Sequence, residues 1–110
     1  MPLMTEPTPL HVRVLDLGEM TIVGLDGAMD RSNSGRVTEQ LHRALERDST
    51  TIVLDCSLLR SLGRTEVAVL VDAQDRVRAR HGRFVLRQPN EATRTVLAES
   101  GLLDDVEIEP

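Results

Sequence analysis

The chain has 110 residues, a formal net charge of −5 and 40% hydrophobic residues, which suits one globular domain with one core. Phe84 is its only aromatic residue, so the core is expected to be aliphatic and no stacking platform for single-stranded nucleic acid is expected. The negative charge also argues against direct nucleic acid binding. The single cysteine, Cys56, excludes an internal disulfide and fits a reducing compartment such as the cytoplasm.

The start of the chain lacks the basic end and the apolar stretch of a signal peptide. Residues 1–9 contain three prolines and are predicted to form a flexible N-terminal tail. A single domain is expected over residues 10–110. No apolar run approaches the roughly 20 residues of a membrane span, so membrane insertion is not expected.

The apolar pattern of the first half predicts a hairpin followed by a helix. Residues 11–16 and 20–25 alternate as strands do, and the second strand is expected to end at residues 26–27. Three side chains ahead of the helix are candidate N-caps: Asp30, Ser32 and Asn33. The expected inner face of the helix consists of Val37, Leu41, Ala44 and Leu45.

The second half alternates strands and helices. Residues 51–54 are apolar and rich in β-branched side chains, which is typical of a central strand. A loop is predicted over residues 57–63, a helix over 64–80 and a strand over 84–86. A third helix begins after Pro89–Asn90, and a short edge strand is expected around Val106 and Ile108. The expected inner residues of the two helices are Val67, Leu70, Val71 and Val77, then Ala92, Val96 and Leu97.

This order of elements defines the fold class. Strands that alternate with helices are joined by right-handed parallel crossovers. The sequence therefore predicts an α/β fold, with a four- or five-stranded mixed sheet and helices packed mainly on one face.

The sequence offers little catalytic chemistry. His11, His42 and His81 share no ligand spacing, so no metal site is expected. Nucleophile elbows, phosphate loops and dinucleotide fingerprints are missing from the sequence, so we expect neither a cofactor nor an enzyme. Asp55 and Cys56 follow a central strand, where sheet enzymes place reactive groups. The favoured alternative is that Asp55 ends the strand and Cys56 packs in the core, because no base is arranged nearby.

Several segments resemble, in order, the landmarks of the STAS (sulfate transporter and anti-sigma factor antagonist) domain family. Residues 27–30, Gly-Ala-Met-Asp, resemble the family's Gly-x-Leu-Asp turn. Residues 52–57, Ile-Val-Leu-Asp-Cys-Ser, resemble its central strand. Residues 67–71 resemble its second helix, residues 78–86 the helix-end glycine and next strand, and residues 96–102 the last helix with its Gly-Leu stop.

This resemblance covers residues 10–109 and implies a non-enzymatic regulator of the anti-sigma factor antagonist type. Such a protein binds an anti-sigma factor, here expected to be of the serine-kinase type, and releases a sigma factor by partner switching. For Asp30 and Ser32, helix capping is the alternative role. The oligomeric state stays open, a homodimer included. The partner-binding residues that the resemblance implies are Asp30, Ser32, Asn33, Gly63, Arg64, Thr65 and Glu66.

The resemblance breaks at the phosphorylation motif. Family antagonists usually carry Asp-Ser-Ser-Gly, and a kinase phosphorylates the first serine. Aligned without gaps, this chain has Gly63, Arg64, Thr65 and Glu66 there. Arginine cannot accept that phosphate, so the usual switch is expected to be lost or moved to Thr65. A plain helix-start role is the alternative for Thr65.

Two further roles stay open at this point. STAS domains also serve transporters, so the chain is a candidate accessory subunit of a membrane transporter. A small-molecule-sensing domain that uses the Asp55–Cys56 region is the other alternative.

Overall fold

The computed structural model describes residues 8–110, so residues 1–7 of the predicted tail lie outside the described part. One mixed sheet contains five strands: β1 (Leu10–Asp16), β2 (Met20–Met29), β3 (Thr51–Leu62), β4 (Arg83–Arg87) and β5 (Glu107–Glu109). Their order across the sheet follows the sequence. β1 is antiparallel to β2, and each later strand is parallel to the one before it.

Three helices connect the parallel strands: α1 (Ser34–Glu46), α2 (Val67–Ala79) and α3 (Glu91–Glu99). All three crossovers step in the same direction across the sheet. Because such crossovers are right-handed, they place their helices on the same face. The predicted α/β fold with a mixed sheet is confirmed, and the sheet has five strands.

The core is mainly aliphatic, includes Phe84, and lies between the helices and one face of the sheet. Burial of a leucine side chain contributes roughly 1.5–3 kcal/mol to folding. The single cysteine, Cys56, is 1% exposed within the same core, so its predicted placement is confirmed. The main contributors from the three central strands and the three helices are Leu25, Leu54, Leu86, Leu41, Leu70 and Leu97.

β2 and β3 are longer than predicted. The expected loop over residues 57–63 is wrong, because β3 continues to Leu62 beside β2. The pairing shifts register between Gly24 and Asp26 and again between Gly27 and Ala28. Each shift breaks the alternation of buried and exposed residues. The sequence of residues 57–62 therefore lacks the period of a strand and resembles that of a loop.

The start of α2 and one inward-facing residue of α3 also differ from the prediction. Residues 64–66 form a separate 3₁₀ turn, and α2 begins only at Val67. In α3, the Asn90 side chain accepts a hydrogen bond from the Thr93 N–H at 2.8 Å. Thr93 is buried and Ala92 is exposed, so the inward orientation expected for Ala92 is wrong.

Candidate partner-binding surface

The two predicted partner-binding segments follow neighbouring strands. β2 and β3 are parallel, so their carboxyl ends lie at the same edge of the sheet. Met29 pairs with Leu62 in register, and the Gly63 N–H donates to the Met29 carbonyl at 2.9 Å. The structure therefore brings residues 30–33 and 63–66 side by side, and we call these residues the candidate surface.

Asp30 organises the first half of the candidate surface. Its Oδ1 accepts hydrogen bonds from the Ser32 N–H at 2.9 Å and the Ser32 hydroxyl at 2.6 Å. The Thr8 hydroxyl donates to its other oxygen. The Ser32 and Thr8 side chains, in that order, lower the pKa of Asp30 because they stabilise the ionised form. Thr8 falls within the predicted tail, and here it joins the tail to the loop after β2.

Asn33 supports this loop from inside. It is 3% exposed. Its Oδ1 accepts from the Asp30 N–H at 2.9 Å, and its amide donates to the carbonyls of Ala28 and Thr8 at 2.9 and 3.0 Å. It makes no side-chain hydrogen bond to the start of α1. Arg31 and Ser32 are the exposed residues of the loop.

Glu66 bends back over the turn that precedes α2. It is only 6% exposed. The Thr65 hydroxyl donates to Glu66 Oε1 at 2.8 Å, and Glu66 Oε2 occupies the place where a Cβ on residue 63 would lie. A side chain on residue 63 would therefore displace the Glu66 carboxylate, and the Thr65 hydroxyl is already hydrogen bonded.

Arg64 projects from the same turn towards α3. Its Nε lies 3.3 Å from Glu99 Oε2, and the two side chains are 79% and 48% exposed. An ion pair this exposed contributes little to stability, so Arg64 can exchange partners at small cost. Arg64 and Glu99, with Val96 and Ser100, line a surface hollow of about 350 Å³.

Thr8 and Glu99 belong to this region, and the sequence did not reveal either of them. Thr8 contacts Asp30 and Ser32, and Glu99 contacts Arg64. Both contacts join segments that are far apart in the chain, and neither residue lies in a recognisable motif. Each residue meets its partner only when the sheet edge is assembled.

A family model described as "Mlab, STAS domain" matches residues 13–108. The chain belongs to the STAS domain family. A comparison with curated protein sequences finds no match. The expected membership is therefore confirmed by the family model, which spans nearly the whole domain.

Solved structures show the same fold. An anti-sigma factor antagonist from Mycobacterium paratuberculosis is 19% identical, with a TM-score of 0.84 over 97% of this chain and 91% of that one. Unphosphorylated SpoIIAA, an anti-sigma factor antagonist, is 19% identical, with a TM-score of 0.77 over 93% and 89%. A variant of RsbS from Moorella thermoacetica is 23% identical, with a TM-score of 0.73 over 88% and 84%.

The Asp55–Cys56 region of this STAS domain is poorly suited to nucleophilic chemistry. Burial first, and the charge of Asp55 second, raise the pKa of the Cys56 thiol to about 12. Burial acts to raise the pKa of Asp55, but hydrogen bonds from Ser57 and the charges of Arg87 and Arg13 outweigh it and lower that pKa. At neutral pH the thiol is protonated and the carboxyl is ionised, so the region offers neither a thiolate nucleophile nor a carboxylic acid as general acid.

Within residues 8–110 the STAS domain has neither a metal-binding cluster nor a membrane-spanning helix. No group of three or more His, Cys, Asp or Glu side chains is arranged to hold a metal ion. No helix in that range has the length and apolar character needed to cross a membrane.

Proposed function

We propose that this STAS domain is an anti-sigma factor antagonist that acts in the bacterial cytoplasm. It binds a serine-kinase type anti-sigma factor through the candidate surface and so releases a sigma factor, for example in a stress response. The observation that carries this proposal is the pairing of Met29 with Leu62, which joins the two segments that correspond to the family's partner-binding motifs. Proteins of the same fold include anti-sigma factor antagonists, which supports this assignment.

Exposure divides the candidate surface into contacting and supporting residues. Arg31, Ser32, Arg64 and Thr65 are exposed and are proposed to contact the partner. The remaining four are proposed to hold the surface in shape, because they are partly or fully buried and bonded or packed within it. These are Asp30, Asn33, Gly63 and Glu66.

The unmodified protein is the proposed binding form. Arg64 occupies the position of the usual phosphoserine and carries no group that a kinase modifies in this way. A phosphate on Thr65 would add roughly two negative charges beside the Glu66 carboxylate, which lies 2.8 Å from the Thr65 hydroxyl. We therefore infer that the antagonist is constitutively unphosphorylated.

The domain is proposed to act by binding and without catalysis, cofactor, membrane insertion or direct contact with nucleic acid. Its net charge of −5 would repel a phosphate backbone. The buried, protonated Cys56 thiol supports the same assignment against an enzyme or a thiol-based sensor.

Affinity capture from the native cell extract tests the proposal, followed by titration with the purified anti-sigma factor. We expect Arg64→Glu to weaken binding on the order of tenfold, since 1.4 kcal/mol corresponds to that factor. Arg43→Glu is the matched control, because Arg43 is an exposed arginine on α1 whose only ion pair within the described residues is to Glu39. Equal losses in both variants, or the absence of any kinase-type partner at micromolar concentration, would contradict the proposal.

A transporter accessory subunit is the second candidate function. Its support is that STAS domains also serve transporters, and that the description of the matching family model, "Mlab, STAS domain", does not name an antagonist. Co-purification with a membrane complex from detergent-solubilised native cells would favour this role. Recovery of the protein only with soluble partners would exclude it.

A further inference from the structure

The two edges of the sheet are protected very differently. β5 forms one edge with three residues, two of which are glutamates, and short charged edges resist pairing with another strand. β1 forms the other edge with seven residues, Leu-His-Val-Arg-Val-Leu-Asp. Within residues 8–110 no strand covers the outer side of β1.

The backbone of β1 leaves a defined set of groups unpaired. The Leu17 N–H donates to the Met20 carbonyl, and the Pro9 carbonyl accepts from the Ala28 N–H. In an antiparallel pair, inward and outward backbone groups alternate, so odd-numbered residues of β1 bond to β2 and even-numbered residues face outwards. Arg36 already donates to the outward carbonyl of Leu10 at 2.5 Å. The outward groups of Val12, Val14 and Asp16 remain.

Exposed apolar side chains concentrate at the same edge. Four large hydrophobic side chains are exposed in the described part of the chain. Three of them lie at the end of β1 or just after it: Val14 at 40%, Leu15 at 53% and Leu17 at 55%. The fourth, Leu58, lies on β3 and is 50% exposed. An unpaired strand edge lined with apolar side chains is suited to strand addition.

An antiparallel register about Val14 pairs the outward backbone groups of this edge with those of a second copy. With a two-fold axis at Val14, Val14 faces Val14 of the second copy and Val12 faces Asp16, so every outward group of these three residues is paired. Across the same axis, Leu15 faces the aliphatic stem of Arg13. An axis at Arg13 instead would place two arginines opposite each other, which is destabilising. The register about Val14 is therefore self-complementary.

We propose that this protein forms a homodimer by antiparallel pairing of β1 with β1 of a second copy about Val14. The dimer has one continuous sheet of two domains. The candidate surface lies at the carboxyl ends of β2 and β3, away from the axis, so the dimer presents two such surfaces. The pairing depends on the β1 edge alone and does not require the proposed anti-sigma factor partner.

Sedimentation equilibrium of the full chain at submillimolar concentration tests the dimer. The expected mass is twice the 12.2 kDa chain mass. Val14→Asp is expected to abolish the dimer, because like charges would face each other across the axis. Leu58→Asp, a matched change at an exposed apolar residue away from β1, is expected to leave it intact. A purely monomeric wild-type chain, or loss of the dimer in Leu58→Asp alone, would overturn the proposal.

A charge-swap mixture tests the position of the axis. Val14→Asp and Val14→Lys are each expected to be monomeric, while an equimolar mixture is expected to restore the dimer, because position 14 faces itself. Failure of the mixture to dimerise would overturn the register.

Val14→Cys provides a readout if the charged variants do not fold. Mild oxidation should convert it to a disulfide-linked dimer, whereas Leu58→Cys should stay monomeric. The native Cys56 does not interfere, because it is 1% exposed. Equal crosslinking of the two variants would contradict pairing through β1.

Discussion

The carboxylate of Glu66 fills the space that a side chain on Gly63 would need. Gly63 has φ −65° and ψ 145°, which any residue adopts, so the steric conflict at this position comes from the Glu66 side chain and not from the backbone. The two residues are thus coupled sterically, and the hydrogen bond from Thr65 to Glu66 extends this coupling to the candidate phosphorylation site.

The Gly63–Glu66 coupling predicts that the effect of Gly63→Ala on the free energy of unfolding changes sign when Glu66 is also replaced. In the wild-type background, Gly63→Ala should destabilise the fold by about 1 kcal/mol, because it displaces Glu66 from its hydrogen bond. In a Glu66→Ala background it should stabilise by roughly 0.4–1 kcal/mol, since alanine restricts the unfolded chain. Urea unfolding measures both values, and the same effect in both backgrounds would refute the coupling.

Phosphorylation of Thr65 should not occur. Incubation with the cognate kinase-type anti-sigma factor and ATP is expected to leave the intact mass unchanged. Thr65 is hydrogen bonded to Glu66, and the ungapped alignment with the family motif places Arg64 at the position of the usual acceptor. A stoichiometric phosphate that disappears in Thr65→Ala would show that the switch has moved to Thr65. A phosphate mapped to Ser61 would instead show that the ungapped motif alignment is wrong.

Stability should fall in the alkaline range because of Cys56. Burial, and secondarily the charge of Asp55, raise the pKa of its thiol from an ordinary value of 9.0 to about 12. The thiol therefore ionises first in the unfolded chain, and the free energy of unfolding should fall by about 1.4 kcal/mol per pH unit between these values. The sequence contains no Lys or Tyr, so few other groups titrate there.

Cys56→Ala provides the control for that titration. The variant should lose most of the alkaline slope and cost on the order of 1 kcal/mol at neutral pH. The native thiol should also resist a bulky thiol reagent, because it is 1% exposed. An unchanged slope in Cys56→Ala, or rapid labelling of the native protein, would disprove the buried, protonated state.

The Thr8 contact should be visible in the titration of Asp30. Hydrogen bonds from Ser32, and secondarily from Thr8, lower the pKa of Asp30 in the folded protein below its ordinary value of 3.8. These bonds therefore stabilise the fold at a pH above 3.8, and this stabilisation is lost as the pH falls through the lowered pKa of the folded state. Thr8→Ala should raise the pKa of Asp30, which carboxyl NMR measures directly. Thr5→Ala, outside the described residues, serves as the control, and an unaltered Asp30 pKa in Thr8→Ala would rule out the contact.

The sequence predicted the layers of the fold but not the ends of its central strands. The apolar period identifies α1, and the Asn90 cap identifies α3, because helix signals are local. The extension of β3 beyond Leu54 was not predicted, because its second half mixes polar and apolar residues and is bulged. Its pairing with residues 26–29 of β2 makes it a strand. Within the candidate surface, the resemblance to the family's motifs predicted that residues 30–33 and 63–66 lie side by side. The burial of Asn33 and the contact between Arg64 and Glu99 depend on packing between distant segments.

The release of a sigma factor from its complex with a kinase-type anti-sigma factor tests the central claim most directly. The complex is prepared from the same organism, and free sigma factor is measured by gel filtration after addition of the unmodified protein. Release at stoichiometric amounts of the wild-type protein is predicted. Arg64→Glu should be needed at concentrations on the order of tenfold higher, whereas Arg43→Glu should release sigma as the wild-type protein does. Retention of sigma in the complex by every kinase-type anti-sigma factor of the organism would contradict the account.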